Sequence, residues 1–337
     1  MTNNWPTKIP KILHLYWNGP QFTIMHYMTI QSFILYNKNW QINIYTPIKK
    51  DNYVDPTWIG TAQKYNYNGP NYFNHLKKLD VNFIEINFGK IGFFDDANDV
   101  HKSDYLRWYL LYKYGGVWSD FDILFIKEIN INVFNNSQMN CNINDIEIGI
   151  YYYNAEYYYD VYDVDEGILC NKKLNVDVFP IGFLISSKNH EFFRLCHENS
   201  LKYFNKDEYQ CIGSLMFLSL FSSGNNILEK YKNVSILDPN TIYPYKCTEI
   251  EKIFKISSAE EIEINLKNLS ISQVYGIHWY NGAQSAKELC SKPINTKENS
   301  VICKLLDKIE LEKNNYNEQY SDHSYISLRN LELLEEK

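Results

Sequence analysis

The residues best placed to do chemistry lie between Asp104 and Asp122, in Asp-Tyr-Leu-Arg-Trp-Tyr-Leu-Leu-Tyr-Lys-Tyr-Gly-Gly-Val-Trp-Ser-Asp-Phe-Asp. Asp104 and Arg107 are three apart, so on a helix they share a face and can meet one ligand. Asp120 and Asp122, at i and i+2, carry two carboxylates on one side of a strand end. Two carboxylates so close repel each other unless a proton or a cation sits between them. A hard divalent cation, shared with a phosphate-bearing substrate, is the natural occupant.

The elements that must position these groups are legible around them. Leu106, Leu110 and Leu111 give the first segment an apolar helical side. Gly115 and Gly116 stop that helix, because glycine accepts the left-handed conformation common at helix C-termini. Val117 and Trp118 favour an extended strand ending at the acids. Upstream, Lys8 to Trp17 reads as a buried strand, closed by the turn signal Asn18-Gly19-Pro20. His26 to Tyr36 has helical spacing, and Trp40 to Tyr45 and Val81 to Ile86 read as strands. Residues 52–74 suit loops with a short helix. Downstream, Ile123–Ile126, Ile146–Tyr153, Phe179–Ser186 and Val274–Trp279 read as strands. Glu191–Tyr203, Ile212–Leu220, Ser300–Asn314 and Ile326–Glu336 suit helices. The tyrosine- and acid-rich stretch 154–165 has no clear pattern. This alternation predicts an α/β domain over residues 1–295 and a helical C-terminal addition over 296–337 packed on it.

Bulk properties narrow the function. The 337 residues carry a formal charge of -7, which argues against a nucleic-acid binder. The 29 tyrosines accompany heavy use of Asn, Ile and Lys, so single tyrosines carry little message. The seven cysteines are scattered without any CxxC, which excludes a disulfide framework or zinc ribbon and suits reduced thiols. No signal peptide or membrane-spanning run is evident, so a cytoplasmic chain is expected.

The motif Ile9-Pro10-Lys11-Ile12, His14, Trp17, then Lys102-Ser103-Asp104-Tyr-Leu-Arg107, then Tyr114-Gly-Gly-Val-Trp-Ser-Asp120-Phe-Asp122 resembles the sugar-binding DXD glycosyltransferases. That group includes the Och1-like mannosyltransferases, the α-1,4-glycosyltransferases and, more distantly, the glucosylating domains of large clostridial toxins. The resemblance covers about the first 130 residues, with weaker echoes at Phe179–Ser186 and Gly276–Ser285. It implies a GT-A fold, a nucleotide-sugar donor (UDP-hexose favoured), Mn2+ or Mg2+, transfer with retention, and a glycan or protein acceptor. Carried across, Trp17 would stack on the base; Ser103, Asp104 and Arg107 would bind sugar and phosphate. Asp122 would hold the metal directly, and Asp120 through water or with the ribose. His278 and Asn281 are the expected late metal ligands. Gln284-Ser285 stands where relatives carry Ser-Trp, so Trp279 is the candidate lid tryptophan. The residues 151–165 could line an acceptor site, and the terminal helices could cap the domain or form a homodimer.

Two other classes fit some of the same residues. A haloacid-type phosphatase also places Asp-x-Asp after a strand, with the first aspartate, here Asp120, as nucleophile. A non-catalytic nucleotide-sugar or glycan-binding protein needs the pockets but no turnover.

Overall fold

The computed structural model describes residues 9–19, 21–48, 69–131, 148–151, 153–162, 169–178, 180–222, 234–246, 248–292 and 298–319. In chain order the elements are β1 (Ile12–Tyr16), α1 (Ile24–Tyr36), β2 (Gln41–Pro47), α2 (Phe73–Leu76), β3 (Asn82–Ile86), α3 (Asp99–Lys113), β4 (Gly116–Ser119) and β5 (Ile123–Phe125). There follow β6 (Ile148–Tyr151), β7 (Tyr153–Tyr162), β8 (Leu169–Val178), β9 (Phe183–Ser186), α4 (Glu191–Tyr203), α5 (Ser214–Ser222) and β10 (Val234–Leu237). The chain continues through α6 (Glu251–Phe254), α7 (Ala259–Ile271), β11 (Gly276–His278), α8 (Gln284–Cys290) and α9 (Val301–Gln319).

The central sheet has seven strands in the order β10-β6-β9-β4-β1-β2-β3. Its pairings are parallel except where β9 runs antiparallel to β4 and β6. Alternation along the strands feeds two cores. Val117 and Ile185 enter one, beside α1, α8 and α9; Trp118 and Leu184 enter the other, against α3, α4 and α5. This three-layer, mostly parallel arrangement is the GT-A architecture that the motif implied.

Two turns fix how the acids are presented. Asn98 caps α3, its side-chain oxygen accepting from the His101 N–H at 2.9 Å. At the other end Gly115 and Gly116 take φ of +69° and +98°, and a Cβ on Gly116 would lie 2.5 Å from the Ile12 carbonyl. Only glycine fits there, because the chain turns into β4 directly against β1. His14 locks the same corner. Its Nε2–H donates to the Gly115 carbonyl at 2.9 Å, and the Tyr45 hydroxyl donates to Nδ1 at 3.1 Å. Burial lowers its pKa to about 4, so the ring is neutral at physiological pH.

A short second sheet completes the positioning. β11 pairs antiparallel with β5, with His278 opposite Ile123, so a residue late in the chain arrives beside Asp122. Residues 154–162, patternless in sequence, lie in β7 of a long two-stranded ribbon with β8, and residues 163–165 lie outside the described residues. Helix α9 buries Val301, Ile302, Leu305 and Ile309 in the same core as α1. The helix expected at Ile326–Glu336, and most of the loop expected at 52–74, lie outside the described residues. Among the described residues no helix is long and apolar enough to cross a membrane.

Candidate active site

The site lies where α3, the end of β4, the turn into β5 and the end of β11 meet. Arg107 is its hub. The guanidinium is buried and approaches Asp104 Oδ1 at 2.9 Å through Nη2 and Asp120 Oδ1 at 3.6 Å through Nη1. Nη1 also donates to the Ile181 carbonyl at 2.6 Å, and Nη2 to Ser103 Oγ at 3.1 Å. The guanidinium carbon lies 4.9 Å from the Trp118 ring centre. The three-residue spacing of Asp104 and Arg107 therefore yields a real ion pair. Arg107 is thus largely committed to the protein, holding the two aspartates in place. Burial pushes the Asp104 carboxyl up to about 7, with Arg107 pulling it down and Asp120 adding to the rise. Asp104 Oδ2 has no hydrogen-bond partner among the described residues, and neither does Arg107 Nε.

The second group is acidic and compact. Asp120, Asp122 and His278 each offer one atom, all within 4.8 Å of one another. His278 Nε2 lies 3.2 Å from Asp122 Oδ1, and the Asn281 backbone N–H donates to Asp122 Oδ2 at 3.0 Å. Burial alone would raise the Asp122 carboxyl, but the charge and hydrogen bond of His278 and the Asn281 N–H bring it down to about 2. Burial would lower the His278 imidazole; the Asp122 charge and hydrogen bond outweigh that and raise it. A proton on His278 would partly offset the paired carboxylates, as a cation would more fully. Two carboxylates and an imidazole suit Mn2+, and Mg2+ less well, since imidazole is the softer ligand. Asn281 Oδ1 and His278 Nδ1 are buried without hydrogen-bond partners among the described residues, leaving polar capacity for a ligand.

The expected residues fall in three groups. Ser103, Asp104 and Arg107 form one paired unit with Asp120 at its edge, 3.6 Å from Arg107, and Asp122, His278 and the Asn281 backbone form another. Trp17 is set apart. Its ring packs on His26 at 4.3 Å, Phe22 at 5.2 Å and Phe121 at 5.6 Å, so one side of it is core. The strand end that carries it is tied to α3, with Tyr16 and Asn18 both donating to Asp99 Oδ1 at 2.7 and 2.8 Å.

Several contributors were not singled out from sequence. The Trp118 indole donates to Asp120 Oδ1 at 2.9 Å. Its position two residues before Asp120 put both on one strand face, which was the available signal. Gly182 and Gly213 hug the acids: added Cβ atoms would lie 2.9 Å from Asp120 Oδ2 and 2.5 Å from Asp104 Oδ2. Gly213 immediately precedes α5 and Gly182 precedes β9, and residue type alone advertises neither role. Tyr243 and Tyr280 flank His278, with ring centres at 5.2 and 4.1 Å. Tyr280 holds φ of +50°, a left-handed conformation rare for an aromatic residue and concentrated at functional sites.

Two family models match the chain. The alpha 1,4-glycosyltransferase conserved region covers residues 185–308, which include His278 and Asn281. The capsular polysaccharide synthesis protein family covers residues 82–244, which include Asp104 to Asp122. The first of these models is of glycosyltransferases, and neither covers half of the chain. Solved structures of similar shape include the PaToxG glycosyltransferase, at 12% identity over 92% of this chain and 89% of that one, TM-score 0.39. The galactosyltransferase LgtC, solved with donor and acceptor sugar analogues, matches at 13% identity over 88% and 94%, TM-score 0.37. The glycosyltransferase GlyE of Streptococcus pneumoniae TIGR4 matches at 11% identity over 94% of this chain, which spans 63% of GlyE, TM-score 0.43. Among curated proteins none matches.

Proposed function

We propose that the protein is a metal-dependent, retaining hexosyltransferase that moves a sugar from a UDP-hexose to a hydroxyl of a glycan or protein acceptor. The observation that carries this reading is the convergence of Asp120, Asp122 and His278 beside the buried Asp104–Arg107 pair. Asp122 and His278 would hold Mn2+ or Mg2+ directly, with Asp120 at the edge of the cluster and Asn281 buttressing Asp122. A bound divalent cation supplies charge neutralisation on the departing nucleoside diphosphate.

The chain's own residues do the rest. Asp104 Oδ2, buried and without a partner among the described residues, accepts a donor-sugar hydroxyl. Arg107 keeps Asp104 and Asp120 at a fixed separation and brings positive charge near the phosphates. Ser103 accepts from Arg107 and so orients it. Trp17 offers its free side to the base, uracil by resemblance. None of these groups stands as a protein nucleophile, so catalysis rests on positioning and preorganised charge. Retention is taken from the resemblance alone. A cytoplasmic setting and a homodimer through the terminal helices belong to the same proposal.

The test is release of nucleoside diphosphate across UDP-glucose, UDP-galactose, UDP-N-acetylglucosamine and GDP-mannose, with Mn2+, Mg2+ or EDTA. At least one UDP-sugar should be hydrolysed slowly, silenced by EDTA and restored by Mn2+. A chain that neither turns over nor is thermally stabilised by any of them is not this enzyme. Phosphoaspartate at Asp120 would instead establish the phosphatase reading.

A further inference from the structure

We infer that Trp118 is a positioning residue for the cation: its indole N–H occupies one oxygen of Asp120 and thereby presents the other to the metal. The inference rests on the metal-dependent reading above. Trp118 lies inside β4, fully buried, two residues before Asp120 and on the same strand face. Its Nε1 donates to Asp120 Oδ1 at 2.9 Å. The same oxygen faces Arg107 Nη1 at 3.6 Å, and the Arg107 guanidinium lies over the Trp118 ring. The Asp120 backbone is fixed as well, its N–H donating to the Gly182 carbonyl at 2.7 Å. Among the described residues no hydrogen bond reaches Oδ2, the oxygen on the open side left by Gly182.

The chemistry of tryptophan makes this assignment specific. Indole is a donor only, so its one N–H is committed to the carboxylate. Phenylalanine would fill the same core and stack on Arg107, but it could not select which Asp120 oxygen turns outward. Without that bond the carboxylate could rotate and give Oδ1 and Oδ2 equal access to Arg107. Trp118 then affects the metal only through Asp120, the relation that outer hydrogen bonds bear to metal ligands.

The experiment uses the full chain. Indole N–H resonances of 15N-tryptophan protein are recorded without metal; the one missing in Trp118→Phe is Trp118. In Asp120→Asn that resonance should move upfield, because the charged acceptor is gone. Mn2+ binding is then read by the free-ion paramagnetic resonance signal in the presence of UDP. Trp118→Phe should bind Mn2+ about 10-fold more weakly than wild type. Asp120→Asn should be at least as weak, and adding Trp118→Phe to it should change nothing further. An indole resonance that ignores Asp120→Asn overturns the inference, and this arm stands even where Trp118→Phe does not fold. So does wild-type Mn2+ affinity in Trp118→Phe, or a loss that persists in the Asp120→Asn background. Equal Mn2+ binding by wild type and Asp120→Asn overturns this inference alone, whereas a wild-type chain that binds no Mn2+ in the presence of UDP overturns the metal-dependent reading and takes this inference with it.

Discussion

Gly182→Ala should damage the metal site while sparing the fold. The added methyl would lie 2.9 Å from Asp120 Oδ2 and 3.0 Å from the Tyr243 hydroxyl, where ordinary contact begins near 3.4 Å. The carboxylate must therefore retreat by roughly half an ångström, more than the about 0.2 Å tolerance of metal–ligand distances. It cannot slide as a unit, because Oδ1 is held by Trp118 and the backbone by Gly182 itself. Rotation then disturbs the atom that Asp120 offers beside Asp122 and His278. A fall of about 10-fold in Mn2+ affinity follows, with a matching rise in the Mn2+ needed for donor hydrolysis. Backbone strain does not contribute, since the left-handed region is not used at this position. Alanine also restricts the unfolded chain, offsetting part of the crowding by about 0.4–1 kcal/mol. The melting temperature should then shift by only a few degrees. The assay is UDP release against Mn2+ concentration, paired with a thermal melt. Wild-type half-saturation and turnover in Gly182→Ala would refute the argument that this gap aims Asp120.

Asp122→Asn should abolish transfer and donor hydrolysis, by about 100-fold or more, with an unchanged circular dichroism spectrum; wild-type turnover would sink the metal role. Gly116→Ala should cost about 3 kcal/mol or more, because both its φ of +98° and the Ile12 carbonyl at 2.5 Å oppose a side chain, and its melting temperature should drop accordingly. His14 makes stability fall in acid. Its folded pKa, about 4, lies below the ordinary 6.5, so its contribution is intact above 6.5 and is lost as pH falls through 4. The full loss is about 3 kcal/mol, and a His14→Phe variant should flatten urea-midpoint changes between pH 6.5 and 4 relative to wild type.

The local parts of the site were readable because they depend on spacing. Asp104 with Arg107, the Gly115–Gly116 stop and the Asp120–Asp122 pair all follow from helix and strand periods, and the structure realises each. His278 needed more: its arrival beside Asp122 depends on the antiparallel β5–β11 pairing, which no local pattern encodes. The resemblance, not the physics of residues 274–281, pointed there. Gly182, Tyr243 and Ile181 escaped because they act through shape or backbone atoms, which residue type does not advertise. Trp17 was read as a platform, and the structure adds that half of it is core, wedged against His26 and Phe121. β7 was obscured because its tyrosine-rich composition masks alternation.

The antiparallel joining of β5 to β11 has a consequence for how the protein comes into being. Asn281, which anchors Asp122, lies 159 residues further along the chain. At a synthesis rate of about 5–20 residues per second, roughly 8 to 30 seconds separate the emergence of the two. During that interval the aspartates and their helix can be in place, but the histidine that completes the cluster does not yet exist. If the cluster holds a cation as proposed, a nascent chain would be unable to hold it tightly, and competence would arrive only when the late strand docks. Ribosome-stalled chains ending before residue 276 should accordingly fold around α3 and β4 while binding no Mn2+.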